Sequence, residues 1–138
     1  MNKTKHSPKI LIVYGPNMNL LGLLYKNKIS MDKLNKQMRK TAKYFGLELI
    51  IFQSNEEGKA ITRLQRQRKK IKGIILFPGP WQSSGYVLLN TLEILNIPYV
   101  TVSSNKSKTI FKGIQNITNK NLDQAADLAL QIIKENLI

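Results

Sequence analysis

Apolar residues along this chain of 138 residues fall into two patterns that alternate from one end to the other. Short uninterrupted apolar runs are typical of strands buried on both faces of a sheet, and they predict strands at 9–14, 47–52, 73–77, 97–102 and 113–117. Apolar residues repeated every three or four positions are typical of helices packed by one face, and they predict helices at 31–45, 59–70, 86–95 and 121–136.

Strands that alternate with helices across short turns are typical of a doubly wound α/β fold. We therefore predict a five-stranded parallel sheet with helices on both faces. Residues 9–138 are expected to form a single domain, residues 1–8 a basic disordered leader, and residues 23–30 a loop.

Several residues at the ends of the predicted helices match known capping signals. Ser30 is expected to cap the amino end of the helix at 31–45, and Gly46 to end it. Asn121 and Gln124 have the spacing of a capping box and are expected to begin the last helix.

Two amide side chains follow the first predicted strand. Gly15 and Pro16 end that strand, and Asn17 and Asn19 come directly after them. Ligands bind at the carboxyl ends of the strands in open parallel α/β sheets, and an amide suits a neutral, hydroxylated part of a ligand. The alternative, which we favour about two to one for a lone Asn, is that each amide satisfies turn backbone.

The composition excludes several kinds of site. The chain has no cysteine and a single histidine, His6, so it can form neither a disulfide framework nor a thiolate or His-rich metal site. No apolar run approaches the ~20 residues of a membrane span. We expect a protein of the cytoplasm or of an organellar matrix or stroma, without a cofactor.

The charge of the chain points to an anionic partner. Twenty-two basic and eight acidic residues give a formal net charge of +14. Such a charge favours association with nucleic acid or another polyanion. We weigh this about evenly against a basic surface that is solvated and has no such partner. Like charges repel at neighbouring helical positions unless an anion offsets them. The candidate docking residues are Arg63, Arg66, Lys69, Lys70 and Lys72 on and after the second helix, with Arg39 and Lys43 on the first.

Four turns of the chain carry motifs of one known family. Gly15-Pro-Asn-Met-Asn-Leu-Leu-Gly22 closely resembles Gly-Pro-Asn-Leu-Asn-Leu-Leu-Gly of type II 3-dehydroquinate dehydratases, and Phe52-Gln-Ser-Asn-Glu-Glu-Gly58 resembles their Phe-Gln-Ser-Asn-His-Glu-Gly. Leu76-Phe-Pro-Gly-Pro-Trp-Gln-Ser-Ser84 is similar to their Ile-Asn-Pro-Gly-Ala-Tyr-Thr-His-Thr. Ile97-Pro98 and Ser103-Ser-Asn105 match the end of their Ile-Pro…His-Ile-Ser-Asn segment.

The resemblance covers nearly the whole chain in the family's order. It implies a flavodoxin-like fold and a homo-oligomer, a trimer or dodecamer. The implied reaction removes water from 3-dehydroquinate by abstracting a proton α to a carbonyl, with neither metal nor cofactor.

The proton-transferring positions of the family carry other residues here, which makes the chain a degenerate member. The family's loop Arg and Tyr, which do the base work, correspond to Leu24 and Ile29, and Tyr25 is the one tyrosine of this shorter loop. The remaining replacements are Ser83 and one residue of Ser103-Ser104 for two histidines, Phe77 for Asn, Glu56 for His, and Lys108 and Lys112 for two arginines. A serine hydroxyl cannot protonate a leaving group near neutral pH, and Lys cannot form a bidentate clamp.

The residues that remain in the implied pocket mainly shape turns, with Ser104 and Asn105 in a corner suited to a carboxylate. These pocket remnants are Asn17, Asn19, Pro78, Gly79, Ser83, Ser104 and Asn105.

Two functions remain open. We favour, by about three to one, an inactive homologue that acts as a binding or structural subunit of a larger assembly, with RNA, a ribosome or another polyanion as partner. The alternative is a divergent dehydratase that uses Tyr25. A third and weaker possibility is that Phe77, Trp81 and Leu24 turn the pocket into an apolar protein-contact surface.

Overall fold

The chain folds around a parallel sheet, and the computed structural model describes residues 7–24, 29–106 and 108–137. The strands are β1 (Lys9–Tyr14), β2 (Glu48–Gln53), β3 (Ile71–Phe77), β4 (Tyr99–Ser103) and β5 (Gln115–Thr118). The helices are α1 (Leu21–Leu24), α2 (Met31–Tyr44), α3 (Glu57–Gln67), α4 (Trp81–Ser84), α5 (Tyr86–Leu95) and α6 (Leu122–Glu135). A 3-10 turn covers Met18–Leu20.

The strand order is β2-β1-β3-β4-β5, and every neighbouring pair is parallel. The predicted five-stranded α/β fold is confirmed. Tyr14, the last residue of β1, pairs with Gln53 in β2 and with Phe77 in β3. This register brings the loops that follow the three strands to one place at the carboxyl edge of the sheet.

Each face of the sheet carries one pair of helices. Ile10 and Ile12 of β1 point into a core shared with α2 and α6, whereas Leu11 and Val13 point into a core shared with α3 and α5. Because helices cover the sheet on both sides, both faces of β1 are buried, and this explains its uninterrupted apolar run.

The helix ends follow the predicted signals in two cases of three. The Ser30 hydroxyl accepts a hydrogen bond from the backbone N–H of Lys33 at 3.3 Å, and Gly46 has a φ of +72°. Asn121 is the residue before α6, but its side chain makes no capping hydrogen bond, so the predicted capping box is wrong. The side chain of Asn119 shapes this entry instead, because its Oδ1 accepts from the Asn121 N–H at 2.9 Å.

Most element bounds differ from the prediction by one to three residues. Helix α3 begins at Glu57 rather than at 59 and ends at Gln67 rather than at 70, and β3 begins at Ile71 rather than at 73. The strand predicted at 97–102 begins at Tyr99. The predicted loop at 23–30 begins inside α1, which is anchored by the buried Leu21.

The division into a leader at 1–8 and a domain at 9–138 stays a prediction, and residues 1–6 lie outside the described residues. In the described part of the chain, no helix has both the length and the apolar character needed to cross a lipid bilayer.

Candidate functional site

A cavity of about 540 Å³ opens at the carboxyl edge of the sheet, where the loops after β1, β3 and β4 meet. Its position matches the place where open α/β sheets bind ligands. It is lined by Pro16, Asn17, Met18, Leu21, Phe77, Gly79, Pro80, Gln82, Ser83, Val102, Ser103, Ser104, Asn105, Lys106, Lys108 and Leu122.

The loop after β1 lies against the loop after β3. The Gly15 N–H donates to the carbonyl of Phe77 at 2.8 Å, and a Cβ built on Gly15 would lie 2.5 Å from the carbonyl oxygen of Pro78. Only glycine fits at so short a distance. Asn17 follows with a φ of 68°, in the left-handed region that Asn tolerates better than most residues.

Two residues after β2 hold this loop in place. The Asn55 Oδ1 accepts from the Asn17 N–H at 3.0 Å, and the Gln53 Nε2 donates to the Gly15 carbonyl at 3.2 Å and to the Asn55 Oδ1 at 3.2 Å. Gln53 and Asn55 are therefore positioning residues that the sequence analysis missed. The signal was present, since both belong to the second motif, but the motif itself does not say what they bind.

The floor of the cavity is aromatic. Phe77 stacks on Tyr14, with ring centroids 4.7 Å apart and an interplanar angle of 30°, and both side chains are buried. The Tyr14 hydroxyl donates to the Asn35 Oδ1 at 2.6 Å. Burial raises the pKa of Tyr14 well above its ordinary value, and the positive charge of Arg39 only partly opposes this. Tyr14 therefore stays neutral and paired near pH 7.

The loop after β3 turns at Gly79, which has a φ of +54°. In the short helix α4 that follows, the hydroxyls of Ser83 and Ser84 donate to the Pro80 carbonyl at 3.4 and 3.3 Å. Ser83 thus faces the cavity with its hydroxyl engaged locally. Trp81 is 5% exposed and packs in the core on the α3 and α5 side.

The loop after β4 supplies the positive charge of the cavity. The Ser103 hydroxyl donates to the Asn105 carbonyl at 3.4 Å, and the Ser103 carbonyl accepts from the Asn119 N–H at 3.0 Å. Lys106 and Lys108 follow as exposed residues of the lining. This wall combines hydroxyl, amide and ammonium groups, a set that suits a hydroxylated anion.

The structure brings together most of the predicted pocket residues. Asn17, Gly79, Ser83, Ser104 and Asn105 all line the cavity.

Two other predicted pocket residues, Asn19 and Pro78, are not among the lining residues. Asn19 lies in the exposed 3-10 turn, and Pro78 is buried beneath Gly15. Tyr25 lies outside the described residues, as does the side chain of Leu24.

The predicted docking cations are separated by the fold. Arg63 and Arg66 belong to α3, whereas Arg39 and Lys43 belong to α2 on the opposite face of the sheet. Lys70 and Lys72 lie in a third place, at the start of β3 on the amino edge of the sheet. Together with Lys9 they line a separate cleft of about 420 Å³.

The cations around α3 are partly engaged within the protein. The Arg63 guanidinium lies over the Phe52 ring, 4.5 Å from its centroid, and the Arg68 guanidinium donates to the Gln65 carbonyl at 2.6 Å. Among the described residues, no three His, Cys, Asp or Glu side chains are grouped as a metal site requires.

Comparisons with known proteins agree with the motifs. The model of the family described as dehydroquinase class II matches residues 8–128. The chain is 35% identical over 98 residues to a 3-dehydroquinate dehydratase of Caldicellulosiruptor bescii, which covers 68% of each chain. It is 37% identical over 97 residues to one of Thermotoga maritima, covering 68% of this chain and 66% of that protein.

The fold agrees as well. The type II dehydroquinase of Butyrivibrio crossotus superposes with a TM-score of 0.83 at 23% identity, covering 91% of this chain and 97% of that one. A 3-dehydroquinate dehydratase-like protein of Bifidobacterium longum superposes with a TM-score of 0.74 at 20% identity, covering 93% of this chain and 96% of that one. The predicted family is therefore confirmed, and this chain belongs to the class II dehydroquinases.

Proposed function

We propose that this chain is a non-catalytic member of its family that serves as a binding or structural subunit with an anionic partner. One observation carries the proposal. Among the described residues that line the cavity, Lys106 and Lys108 are the ionisable side chains, and the lining has no Asp, Glu, His or Tyr.

Dehydration of a hydroxy ketone needs a base, an acid for the departing hydroxide and stabilisation of an enolate. Lysine side chains supply such a site with positive charge rather than with a base. Ser83 and Ser104 supply hydroxyls whose pKa values lie far above neutrality. Phe77 adds an apolar surface where the family motif has an amide. General acids and bases typically contribute 10²–10⁴-fold each, so their combined loss would abolish useful turnover.

The partner is inferred from charge. A formal net charge of +14 favours a polyanion, and RNA is the polyanion that we propose first. A homo-oligomer, either trimer or dodecamer, or a larger complex would place several copies of the basic surface on one partner. The cavity itself, with Lys106 and Lys108 beside Ser104, would still hold a small hydroxylated anion without converting it.

A second candidate function is a divergent 3-dehydroquinate dehydratase. It is favoured by the intact cavity at the carboxyl edge and by the activity named for the relatives. In this reading Tyr25 acts as the base, and Lys108 and Lys112 replace two of the family's arginines.

One experiment separates the two functions. The purified protein is incubated with 3-dehydroquinate, and ultraviolet absorbance follows the conjugated enone that dehydration would form. We expect no enone above the buffer control. Enone formation that is lost in Tyr25→Phe and retained in the control Tyr86→Phe would establish the divergent enzyme instead.

A further inference from the structure

Helix α2 carries a continuous stripe of positive charge on the side turned away from the core. Leu34, Met38 and Ala42 are buried against the sheet and α6, and the stripe occupies the opposite side of the helix. The helix has one acidic residue, Asp32, in its first turn. The five exposed cations are Lys33, Lys36, Arg39, Lys40 and Lys43.

These charges are not neutralised within the described part of the protein. None of the five side chains lies within 4.0 Å of a carboxylate there. Asp127 of α6 faces this helix, but its two oxygens accept hydrogen bonds from Gln37 at 3.1 Å and Thr41 at 2.8 Å. The α2 stripe is therefore open to an external anion.

The cations on α3 differ in this respect. Lys59 forms an ion pair with Glu56 at 3.0 Å, and Arg63 is held over an aromatic ring. Arg68 is bonded to a backbone carbonyl of its own helix. Of the two basic helices, α2 leaves more of its positive charge unused.

The spacing along α2 suits a chain of phosphates. Successive lysines of the stripe are three or four residues apart, and a helix rises 1.5 Å per residue, so the charges follow one another at about 5 Å over about 15 Å. One strand of B-DNA has a phosphate every ~3.4 Å of helix axis, and an extended strand has a wider interval. A single strand can thus bring a phosphate close to each charge.

An aromatic ring lies at the end of the stripe. Tyr44, one helical turn after Lys40, is 86% exposed. The rings of Tyr44 and Phe45 are in an edge-to-face contact, with centroids 5.4 Å apart and an interplanar angle of 70°. Phe45 therefore packs against part of the Tyr44 ring, and most of that ring stays exposed. Basic grooves that carry an exposed aromatic ring bind single strands by pairing charge with phosphate and stacking a base on the ring.

We infer that the outer face of α2, together with Tyr44, binds a single strand of nucleic acid. This inference rests on the proposed role as a binding subunit with an anionic partner, and it names the surface and the class of that partner. An acidic protein segment would use the same cations, but it would have no base to stack on the Tyr44 ring.

Fluorescence anisotropy of the full chain with a labelled oligouridine of about 12 nucleotides, titrated at several salt concentrations, tests the inference. One phosphate contact at each of the four lysines predicts a slope of log affinity against log salt near −3, since each contact in a single strand contributes about −0.7. The double variant K36Q/K40Q should reduce that slope by about 1.4. Tyr44→Ala should weaken binding roughly tenfold without changing the slope.

Matched controls lie on the other face of the sheet. The double variant K59Q/R68Q removes two charges of α3 and its C-terminal end that are already engaged within the protein, and Tyr86→Ala removes an aromatic ring that is 62% exposed on α5. Both should bind oligouridine within about twofold of the wild type. A titration with an oligothymidine of the same length shows whether the protein distinguishes single-stranded DNA from RNA. Binding of both oligonucleotides supports the inference, and so does binding of the oligouridine alone.

Three results would overturn the inference. The first is no binding of either oligonucleotide at low salt. The second is an equal loss in K59Q/R68Q and K36Q/K40Q. The third is full affinity in Tyr44→Ala together with competition by polyglutamate as effective as that by RNA, which would indicate an acidic protein partner. Formation of enone from 3-dehydroquinate would overturn the proposed lack of catalysis without touching these binding results.

Discussion

Removing the Tyr14 hydroxyl tests how the floor of the cavity is held together. This hydroxyl is buried and donates to the Asn35 Oδ1 at 2.6 Å, while its ring stacks on Phe77 at 4.7 Å. Tyr14→Phe keeps the stacked ring and removes only the donor, so the change isolates one hydrogen bond and one titratable group.

The variant should be less stable than the wild type near neutral pH. A typical intramolecular hydrogen bond contributes about 1 kcal/mol to the free energy of unfolding, and the half-buried Asn35 can recover part of it from water. For a chain of this size, a loss of that magnitude lowers the melting temperature by roughly 3–5 °C. Tyr86→Phe, at an exposed position on α5, should leave the melting temperature unchanged.

At alkaline pH the difference should change sign. Burial raises the pKa of Tyr14 in the folded state, whereas the tyrosine of the unfolded chain ionises near pH 10.0. Above that pH the unfolded chain binds fewer protons, so Tyr14 makes stability fall by about 1.4 kcal/mol per pH unit. Burial also raises the pKa of Tyr99, and the Lys112 N–H, which donates to the Tyr99 oxygen, partly opposes this. The stability of Tyr14→Phe should therefore still fall with rising pH, but less steeply than that of the wild type.

Urea unfolding between pH 7 and pH 12, monitored by circular dichroism, measures both effects. The stability curves of the wild type and Tyr14→Phe are expected to cross at about pH 10.5–11.5. Parallel curves over the whole range would refute the assignment of Tyr14 as a buried, neutral donor. So would a variant that is more stable than the wild type at pH 7.

Three further changes test the packing around the site, each by chemical denaturation. Glu57→Ala removes the carboxylate oxygen that accepts from the Leu88 N–H at 2.9 Å in the first turn of α5, and should cost about 1 kcal/mol. Glu57→Gln, which keeps an acceptor, should cost less than half of that, and equal losses would contradict the capping role. Gly15→Ala would place a Cβ 2.5 Å from the Pro78 oxygen and should cost about 1–3 kcal/mol. Gly58→Ala, where a Cβ meets nothing within 4 Å, should instead stabilise the protein by about 0.5–1 kcal/mol, and destabilisation would contradict the open surroundings.

Local pattern predicted the elements better than it predicted their ends. The helix predicted at 86–95 has the observed bounds, because Leu88 and Leu92 mark its buried side and Gly85 and Asn96 flank it. Strand β3 begins at Ile71, two residues before its predicted start. Only the pairing of Lys9 with Ile71 across the sheet shows that the strand has already begun there.

The position of the cavity was predicted from the sequence, but the contacts among the residues around it were not. The motifs after β1, β3 and β4 do meet around one cavity, as strand ends in a parallel sheet must. That Gln53 and Asn55 hold the loop of Asn17 depends on the strand order, which places β2 beside β1. No local pattern fixes that order.

The separation of the cations has the same cause. Helical spacing tells which charges share one side of a helix, as it does for Lys36 and Lys40. It does not tell which face of the sheet the helix covers. Here the chain moves outward from β1 to β2 and then returns past β1 to β3, so right-handed crossovers place α2 and α3 on opposite faces.

Hydrogen exchange at the carbon next to the carbonyl of 3-dehydroquinate tests the central claim most directly, because it detects proton abstraction even when elimination is blocked. The protein is incubated with the compound in D₂O, and mass spectrometry or proton NMR follows the incorporation of deuterium. The proposed lack of a catalytic base in the cavity predicts incorporation at the rate of buffer alone, for both the wild type and Tyr25→Phe. Incorporation well above buffer by the wild type, abolished in Tyr25→Phe, would contradict the claim that this chain is non-catalytic.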